Sequence, residues 1–471
     1  MSQILINEIV AFINNILWGN GQVLIYMLLA AGVWFTVKLG FIQIRHFGHM
    51  FSVMKGSNKS DKAGISSFQA LCTSLSARVG TGNLAGVAVA ISLGGSGAIF
   101  WMWVIAILGM ATGFAESVLG QLYKVKDANG EFRGGPAYYI QQGLNKRWLA
   151  VIFSLFLFLG YGFIFSAVQA NTITDALNHA YDIPTLYSGL VIIVLAGLIV
   201  IGGLRAIAKF AEWVVPFMAV TYVLVTLAIT FMNIELVPAM LWDIISSAFG
   251  LQEAGAGAIG AAFKHGVQRG LYSNEAGSGS VPHAAASATP NPNHPVSQGY
   301  VQMLGVFIDT MILCTCSAIV ILLAGGASGE GMEGIRLTQD AMVSHLGDGG
   351  GDFVAAAISL FAFTSVVANY AYGESNLHMF KLDNKIGRTA YTTGYLLMIL
   401  WGSMAALPEV WAAADMALGL MTVINITAIV MMTPTIVSIS KDYFAKRESG
   451  KKITYKAGDC KIQGKSEDGI W

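Results

Sequence analysis

Two stretches of the 471-residue chain set glycine beside polar side chains in the middle of apolar runs. The first reads SARVGTGNLAGVAVAISLGGSG from Ser76, and the second EAGAGAIGAAFKHGVQRGLYSNEAGSGS from Glu253. Glycine is a poor helix former, and Arg78, Thr81, Asn83, Ser273, Asn274 and Glu275 accompany it. This composition predicts helices that break midway. A break frees N–H groups at the start of a half-helix, which attract a carboxylate. It also frees carbonyls, which attract a cation. A zwitterionic amino acid with a sodium ion is the natural occupant of such a pair. Glu116 and Asp309 are carboxylates inside apolar runs, and an intramembrane acid is a functional candidate by default. They can carry protons or act as partners for the arginines.

These residues need membrane helices to position them. The chain is 55% hydrophobic and 11% charged, against about 25% charge in a soluble domain, with a mean hydropathy of +0.62. That composition excludes a soluble enzyme, a disordered chain and a nucleic-acid binder. Segments of roughly 20 apolar residues, the length that spans a bilayer, recur near 22–42, 66–94, 97–123, 148–173, 185–203, 208–232, 241–272, 298–325, 352–375, 387–406 and 414–440. Residues 4–18 fit an interfacial helix better. Alternate connections are basic: Arg45, Lys55, Lys59 and Lys62 in the first, then Lys124, Lys126, Arg133, Lys146 and Arg147, then Arg205 and Lys209, then Lys381, Lys385 and Arg388. The segment from Lys441 to Lys465 follows the same sign. The connections between them are acidic, with Arg336 their only cation. By the positive-inside rule this alternation predicts eleven spans, the amino terminus outside and the carboxyl terminus in the cytoplasm.

The two glycine-rich segments lie five spans apart. Close helix packing of the GxxxG kind is the plain alternative, but polar companions at matching places in two five-span halves argue for an inverted-repeat transporter. The organisation expected is an extra helix and basic loop (1–64), a first repeat (65–235), a second repeat (236–440) and a basic cytoplasmic segment (441–471). No HExxH or GxSxG pattern speaks for an enzyme, and no repeated ring speaks for a channel.

SARVGTGN at Ser76–Asn83, SNEAGSGS at Ser273–Ser280 and FAFTS at Phe361–Ser365 resemble the alanine/glycine:cation symporter family, over essentially the whole chain. The resemblance implies sodium-coupled uptake of alanine or glycine across the bacterial inner membrane, with a proton-coupled carrier as the alternative. It implies an all-α membrane fold similar to the bacterial leucine transporter: one extra helix, then a 5+5 inverted repeat with broken first and sixth core helices. Val79–Asn83 (VGTGN) is similar to that transporter's VGLGN run. On this resemblance the substrate carboxylate rests on the amides of Thr81 and Gly82, beside Asn83. The sodium ion lies among the carbonyls of Ser76, Val79 and Phe361 and the hydroxyls of Thr364 and Ser365.

Arg78 departs from the pattern, since the leucine transporter has a small residue there. An arginine at this depth costs about 2.5–3.5 kcal/mol on insertion scales. It is expected to pair with Glu275, Glu116 or Asp309 and to take the place of a second ion. Gln169 and Phe165, one turn apart, are expected to contact the amino acid and close over its side chain. Ala254–Gly260, with Gly257 and Gly260, is expected to be the unwound stretch of the seventh span and to grip the substrate through backbone. Arg269, Ser273, Asn274 and Glu275 are expected to form a cytoplasmic gate.

Overall fold

Proline and capping side chains mark many of the helix starts in the computed structural model, which describes residues 2–57, 60–61, 63–127, 129–251, 256–326 and 334–471. Lys59, Lys62, Ala254 and Gly255 lie outside them. In chain order the helices are α1 (Ser2–Leu17), α2 (Val23–Lys38), α3 (Ile42–Arg45), α4 (Phe47–Met54), α5 (Ser67–Arg78), α6 (Val87–Gly94), α7 (Gly97–Leu122), α8 (Pro136–Gly143), α9 (Arg147–Leu159), α10 (Phe165–Tyr181), α11 (Thr185–Val200), α12 (Gly203–Met232), α13 (Val237–Ala248), α14 (Ala256–Asn274), α15 (Val281–Ala286), α16 (Pro295–Val306), α17 (Thr315–Leu323), α18 (Ile335–Leu346), α19 (Asp348–Leu377), α20 (Lys385–Met404), α21 (Leu407–Met431) and α22 (Thr433–Glu448). Wider π-type turns at Gly82–Gly86, Gly160–Ile164 and Phe307–Cys314 lead into α6, α10 and α17. A hairpin pairs β1 (Val125–Lys126) with β2 (Phe132–Arg133).

Six helical stretches among the described residues are long and apolar enough to cross a membrane: Gly97–Leu122, Arg147–Tyr181, Gly203–Met232, Pro295–Leu323, Asp348–Phe380 and Leu407–Met431. Shorter apolar helices accompany them. Trp213, Phe217 and Leu224 on α12 face outward, while Arg78, Glu116 and Asp309 are buried. Broad apolar faces outside and charge within describe a chain whose solvent is lipid. This is a multi-pass membrane protein.

The first break falls where the glycines of the second expected span predict it. A capping box of Ser66 and Gln69 opens α5, and the helix stops at Arg78. Val79 turns to ψ 92°, and the Gly80 N–H bonds Asn83 Oδ1 at 3.1 Å instead of a helical carbonyl. Glycine leaves room here for the Ser365 hydroxyl and the Gln169 carboxamide, both of which a Cβ on Gly80 would displace.

The second break corrects the expectation. The stretch 241–272 is divided between α13 and α14, and residues 256–260 form the first turns of α14. That helix continues to Asn274, and the unwound piece is Glu275–Ser280. Backbone conformation explains the choice. Glu275, Gly277 and Gly279 take φ of 56°, 93° and 89°, and a Cβ on Gly279 would meet Phe153 at 2.8 Å. Gly257 and Gly260 sit in ordinary helical backbone with nothing within 4 Å of a Cβ. Small residues weaken a helix, but without a polar anchor or a required left-handed turn they do not break it.

Contacts sort the connections into two ends. The basic end gathers the hairpin, α8, the loop after α15, α22 and residues 449–471, where Ile65 pairs with Ala288 and Tyr455 N–H bonds Asn293 O. The acidic end gathers the close of α1, the end of α6 and the start of α21, with Arg336 held by Asp175 at 2.6 Å.

Candidate functional site

Where α5 ends, it packs on the middle of α19, and uncharged oxygens converge. Ser365 Oγ lies 2.8 Å from the Ser76 carbonyl, 3.3 Å from that of Val79 and 3.2 Å from that of Phe361. Thr364 Oγ1 donates to Phe361 O at 2.8 Å, and Ser76 Oγ donates to Thr364 O at 2.8 Å. The five positions that the resemblance implied as ion ligands are therefore brought together, all buried. The break itself exposes the Ser76 carbonyl, because the Gly80 N–H that would cap it has turned to Asn83. Carbonyls and hydroxyls of this kind suit a hard, weakly charged cation.

Beside these oxygens, one turn of α19 beyond Ser365, lies a small buried cavity lined by Ala77, Arg78, Phe165, Gln169, Tyr272, Glu275, Asn369 and Leu418. Its free volume of about 10 Å³ is room for about one water molecule, so a larger guest requires the walls to move. Gln169 Oε1 accepts from the Thr81 N–H at 2.9 Å and the Thr81 hydroxyl at 2.8 Å. A carbonyl oxygen thus already rests where a substrate carboxylate was expected. Asn369 Oδ1 and the Tyr272 hydroxyl line the cavity buried and without a hydrogen-bond partner among the described residues. Both escaped the sequence reading. The signal for Asn369 was its place four residues after Ser365, on the same face of α19.

The buried acids staple the two breaks together. Asp309 accepts from Asn83 Nδ2 at 2.9 Å, Ser273 Oγ at 2.5 Å and Thr310 Oγ1 at 2.8 Å. One carboxylate therefore joins the first break to the last turn of α14. Glu116 on α7 accepts the N–H groups of Gly277 (3.0 Å) and Gly279 (3.2 Å), and Asn425 Nδ2 at 2.7 Å. Ser280 Oγ donates to Glu275 at 2.6 Å, and Asn274 Oδ1 accepts the Ala276 N–H at 3.0 Å. The unwound turn Glu275–Ser280 is held by side chains that take over what a helix would have satisfied.

Three expectations change. Arg78 forms no ion pair with Glu275, Glu116 or Asp309 among the described residues. Its guanidinium bonds Ser74, Gln302 Oε1 at 2.7 Å and the Asn274 carbonyl at 3.5 Å. A neutral carboxamide on α16 supplies the acceptor, and nothing in the spacing of charges pointed to it. Gly257 and Gly260 are exposed in the first turns of α14 and do not line the cavity. Arg269 belongs to the acidic end, away from the basic end expected for a cytoplasmic gate. It pairs with Asp415 at 2.6 Å and lies 4.5 Å over the Trp411 ring. Arg269, Trp411 and Asp415 line a cavity of about 590 Å³ bounded by Trp18, Ser92 and Gln268. Tyr272 stands between the two cavities, 4.7 Å from Trp411 and 6.0 Å from Phe165.

Residues 2–457 match the model of the sodium:alanine symporter family. The chain is 47% identical over 450 residues to the uncharacterized transporter YaaJ of Escherichia coli (strain K12), covering 94% of each chain. It is 45% identical over 452 residues to the probable sodium/glutamine symporter GlnT of Bacillus subtilis (strain 168), covering 96% of this chain and 93% of that one. It is 37% identical over 455 residues to the sodium/alanine symporter AgcS of Methanococcus maripaludis, covering 94% and 99%. Two interrupted helices meeting over a buried polar cavity, in a chain matched from end to end, lead to one conclusion: this protein belongs to the sodium:alanine symporter family, membrane transporters that couple an amino acid to a cation.

Proposed function

We propose that the protein is a sodium-coupled symporter carrying alanine or glycine into the cell by alternating access around the cavity beside Gly80. The observation that carries this is the set of three carbonyls gathered about Ser365 Oγ at 2.8–3.3 Å. Sodium bound there replaces the Ser365 bonds, takes Thr364 Oγ1 as a further ligand and ties the end of α5 to α19. That fixes the orientation of Thr81 and Gly82, whose amides receive the substrate carboxylate once the Gln169 carboxamide rotates away. The ammonium group meets Asn369 Oδ1, and Phe165 limits the side chain to a small one. Sodium and substrate tighten each other by the same factor, because the coupling is reciprocal.

The reading includes eleven spans with a leucine-transporter-like 5+5 core in the cytoplasmic membrane, the basic end inside. On that orientation the 590 Å³ cavity is an outer vestibule, and Arg269, Asp415, Tyr272 and Trp411 form the outer gate. Ser273, Asn274 and Glu275 belong to the hinge at the second break. The test is radiolabelled alanine uptake into proteoliposomes under a sodium or a choline gradient at fixed pH, with Thr364→Ala and Ser365→Ala beside the parent. The expected result is uptake driven by sodium alone and lost in both variants. Uptake driven equally by a proton gradient overturns the ion assignment. Uptake of glutamine but not of alanine overturns the substrate.

A further inference from the structure

Beyond α22 the chain turns back across the basic end and grips three separate elements. Lys446 Nζ holds the start of this return by Thr454 O and Asp459, each at 2.8 Å. Tyr455 N–H donates to Asn293 O at 2.8 Å in the loop that follows α15, and its ring lies 5.5 Å from His294. Gln463 exchanges hydrogen bonds with Thr435 and accepts the Tyr123 hydroxyl. Lys465 N–H reaches Gln142 O of α8 at 3.4 Å. Trp471 Nε1 donates to Leu122 O at 3.1 Å, and its ring meets Tyr455 at 5.5 Å and the Lys124 ammonium at 5.1 Å.

Next to this region, where Lys124 Nζ lies 3.7 Å over the Phe132 ring, is a second small cavity, lined in part by Phe132, Thr73, Arg133, His283, Ser287 and Tyr372. Thr73 is one turn of α5 from Ala77, and Tyr372 three residues of α19 from Asn369. The cavity therefore lies directly between the central cavity and the basic end. Opening a way through it requires the loop after α15 to part from the end of α7. Ties that cross that seam include Lys124 Nζ and Gln121 Nε2, each to Ala288 O at 3.0 Å, and the Tyr455–Trp471 contact, one of whose rings belongs to the Asn293 side and the other to the Leu122 side. The family match ends at residue 457, so the Trp471 end of this strap lies past the part shared with the family model.

We propose that residues 450–471 form a strap that holds the basic-end exit shut, and that its release sets how readily the transporter opens on that side. This rests on the reading of the central cavity as the transport path. The strap restrains a step common to every cycle and touches neither the cation set nor the central cavity. A strap whose far end lies beyond the family match thus acts as a brake on a shared mechanism.

The experiment places a reporter in the exit cavity, Ser287→Cys in a Cys460→Ser background, and measures its rate of modification by a membrane-impermeant maleimide reaching the basic side. It compares the full chain, a chain stopped after Ala457, Trp471→Ala and Gln463→Ala, with sodium-driven alanine uptake measured in parallel. Losing hydrogen bonds and an edge-to-face ring contact shifts a closed–open balance by roughly tenfold. Labelling is therefore expected to rise by about that factor in the truncated chain and by less in each point variant, with faster uptake. Unchanged labelling in a truncated chain that inserts normally overturns the proposal. If the truncated chain fails to insert, unchanged labelling in both point variants overturns it equally. Labelling needs no transport, so absence of uptake in the full chain refutes the functional reading while labelling still decides on the strap.

Discussion

Replacing Glu116 by glutamine tests whether the second break is held from outside its own helix. The carboxylate is fully buried and accepts three N–H donors, those of Gly277, Gly279 and Asn425. A glutamine of the same shape turns one acceptor into a donor, so at least one bond is lost and one buried N–H is left facing another. A net hydrogen bond is worth about 1 kcal/mol and an orphaned buried donor costs about 1–3, which gives about 2–4 kcal/mol. Glu116→Ala is worse, because it orphans both backbone donors and opens a cavity. The measurement is SDS-induced unfolding in mixed micelles, with Glu235→Gln, an exposed residue, as the control for charge alone. Sodium-driven uptake is followed at the same time, since a loosened turn should lose coupling before the protein unfolds. A Glu116→Gln protein as stable as the control, with full uptake, would refute the reasoning that this carboxylate holds the unwound turn.

The Arg269–Asp415 pair is nearly buried on both sides, so removing either partner leaves an uncompensated charge and costs about 3–5 kcal/mol. The double variant Arg269→Met with Asp415→Leu recovers much of that stability while uptake stays impaired, and a double-mutant cycle showing no coupling energy would count against the pair. At the basic end, burial pushes the Lys124 ammonium down to about 7, opposed by the Asp61 carboxylate. The folded chain then binds fewer protons than the unfolded one from pH 7 up to the ordinary lysine value. Stability should rise with pH across that window, by at most about 1.4 kcal/mol per unit, and stay flat below it. Unfolding midpoints in detergent at pH 6, 7, 8 and 9 check this, and Lys124→Met should abolish the slope.

Much of the site was legible because it depends on local composition. Glycine followed by threonine, glycine and asparagine can be read as a helix stop, and α5 stops there. Ser76, Val79, Phe361, Thr364 and Ser365 were picked out by the FAFTS and SARVG resemblance, and the structure brings their oxygens close together where α5 ends against α19. What escaped depends on partners distant in sequence. The AGAGAIG run looks as breakable as GTG, yet its described part, residues 256–260, is helical, and the unwound turn lies at the residues that Glu116 can hold. Arg78 asked for a carboxylate and found Gln302 instead, since hydrogen bonds to uncharged acceptors also relieve a buried guanidinium when several converge. Arg269 lies with the acidic connections, because the position of the break decides which way the preceding helix faces. Once the break is at Glu275, residues before it belong to the acidic end.

The division of labour among polar groups then has a physical logic. The oxygens gathered at Ser365 are all neutral, so a monovalent cation can enter and leave without the deep well that a carboxylate would make. The carboxylates lie beside the breaks, each saturated by hydrogen-bond donors from the protein itself. Glu116 and Asp309 thereby hold irregular backbone that a membrane interior would otherwise not tolerate, and they tie the two broken helices to α7 and to the turn before α17. A cation that binds between α5 and α19 therefore pulls on a framework already linked across both breaks. On the proposed reading, that linkage is the route by which occupancy of one small site would change the shape of the cavity beside it.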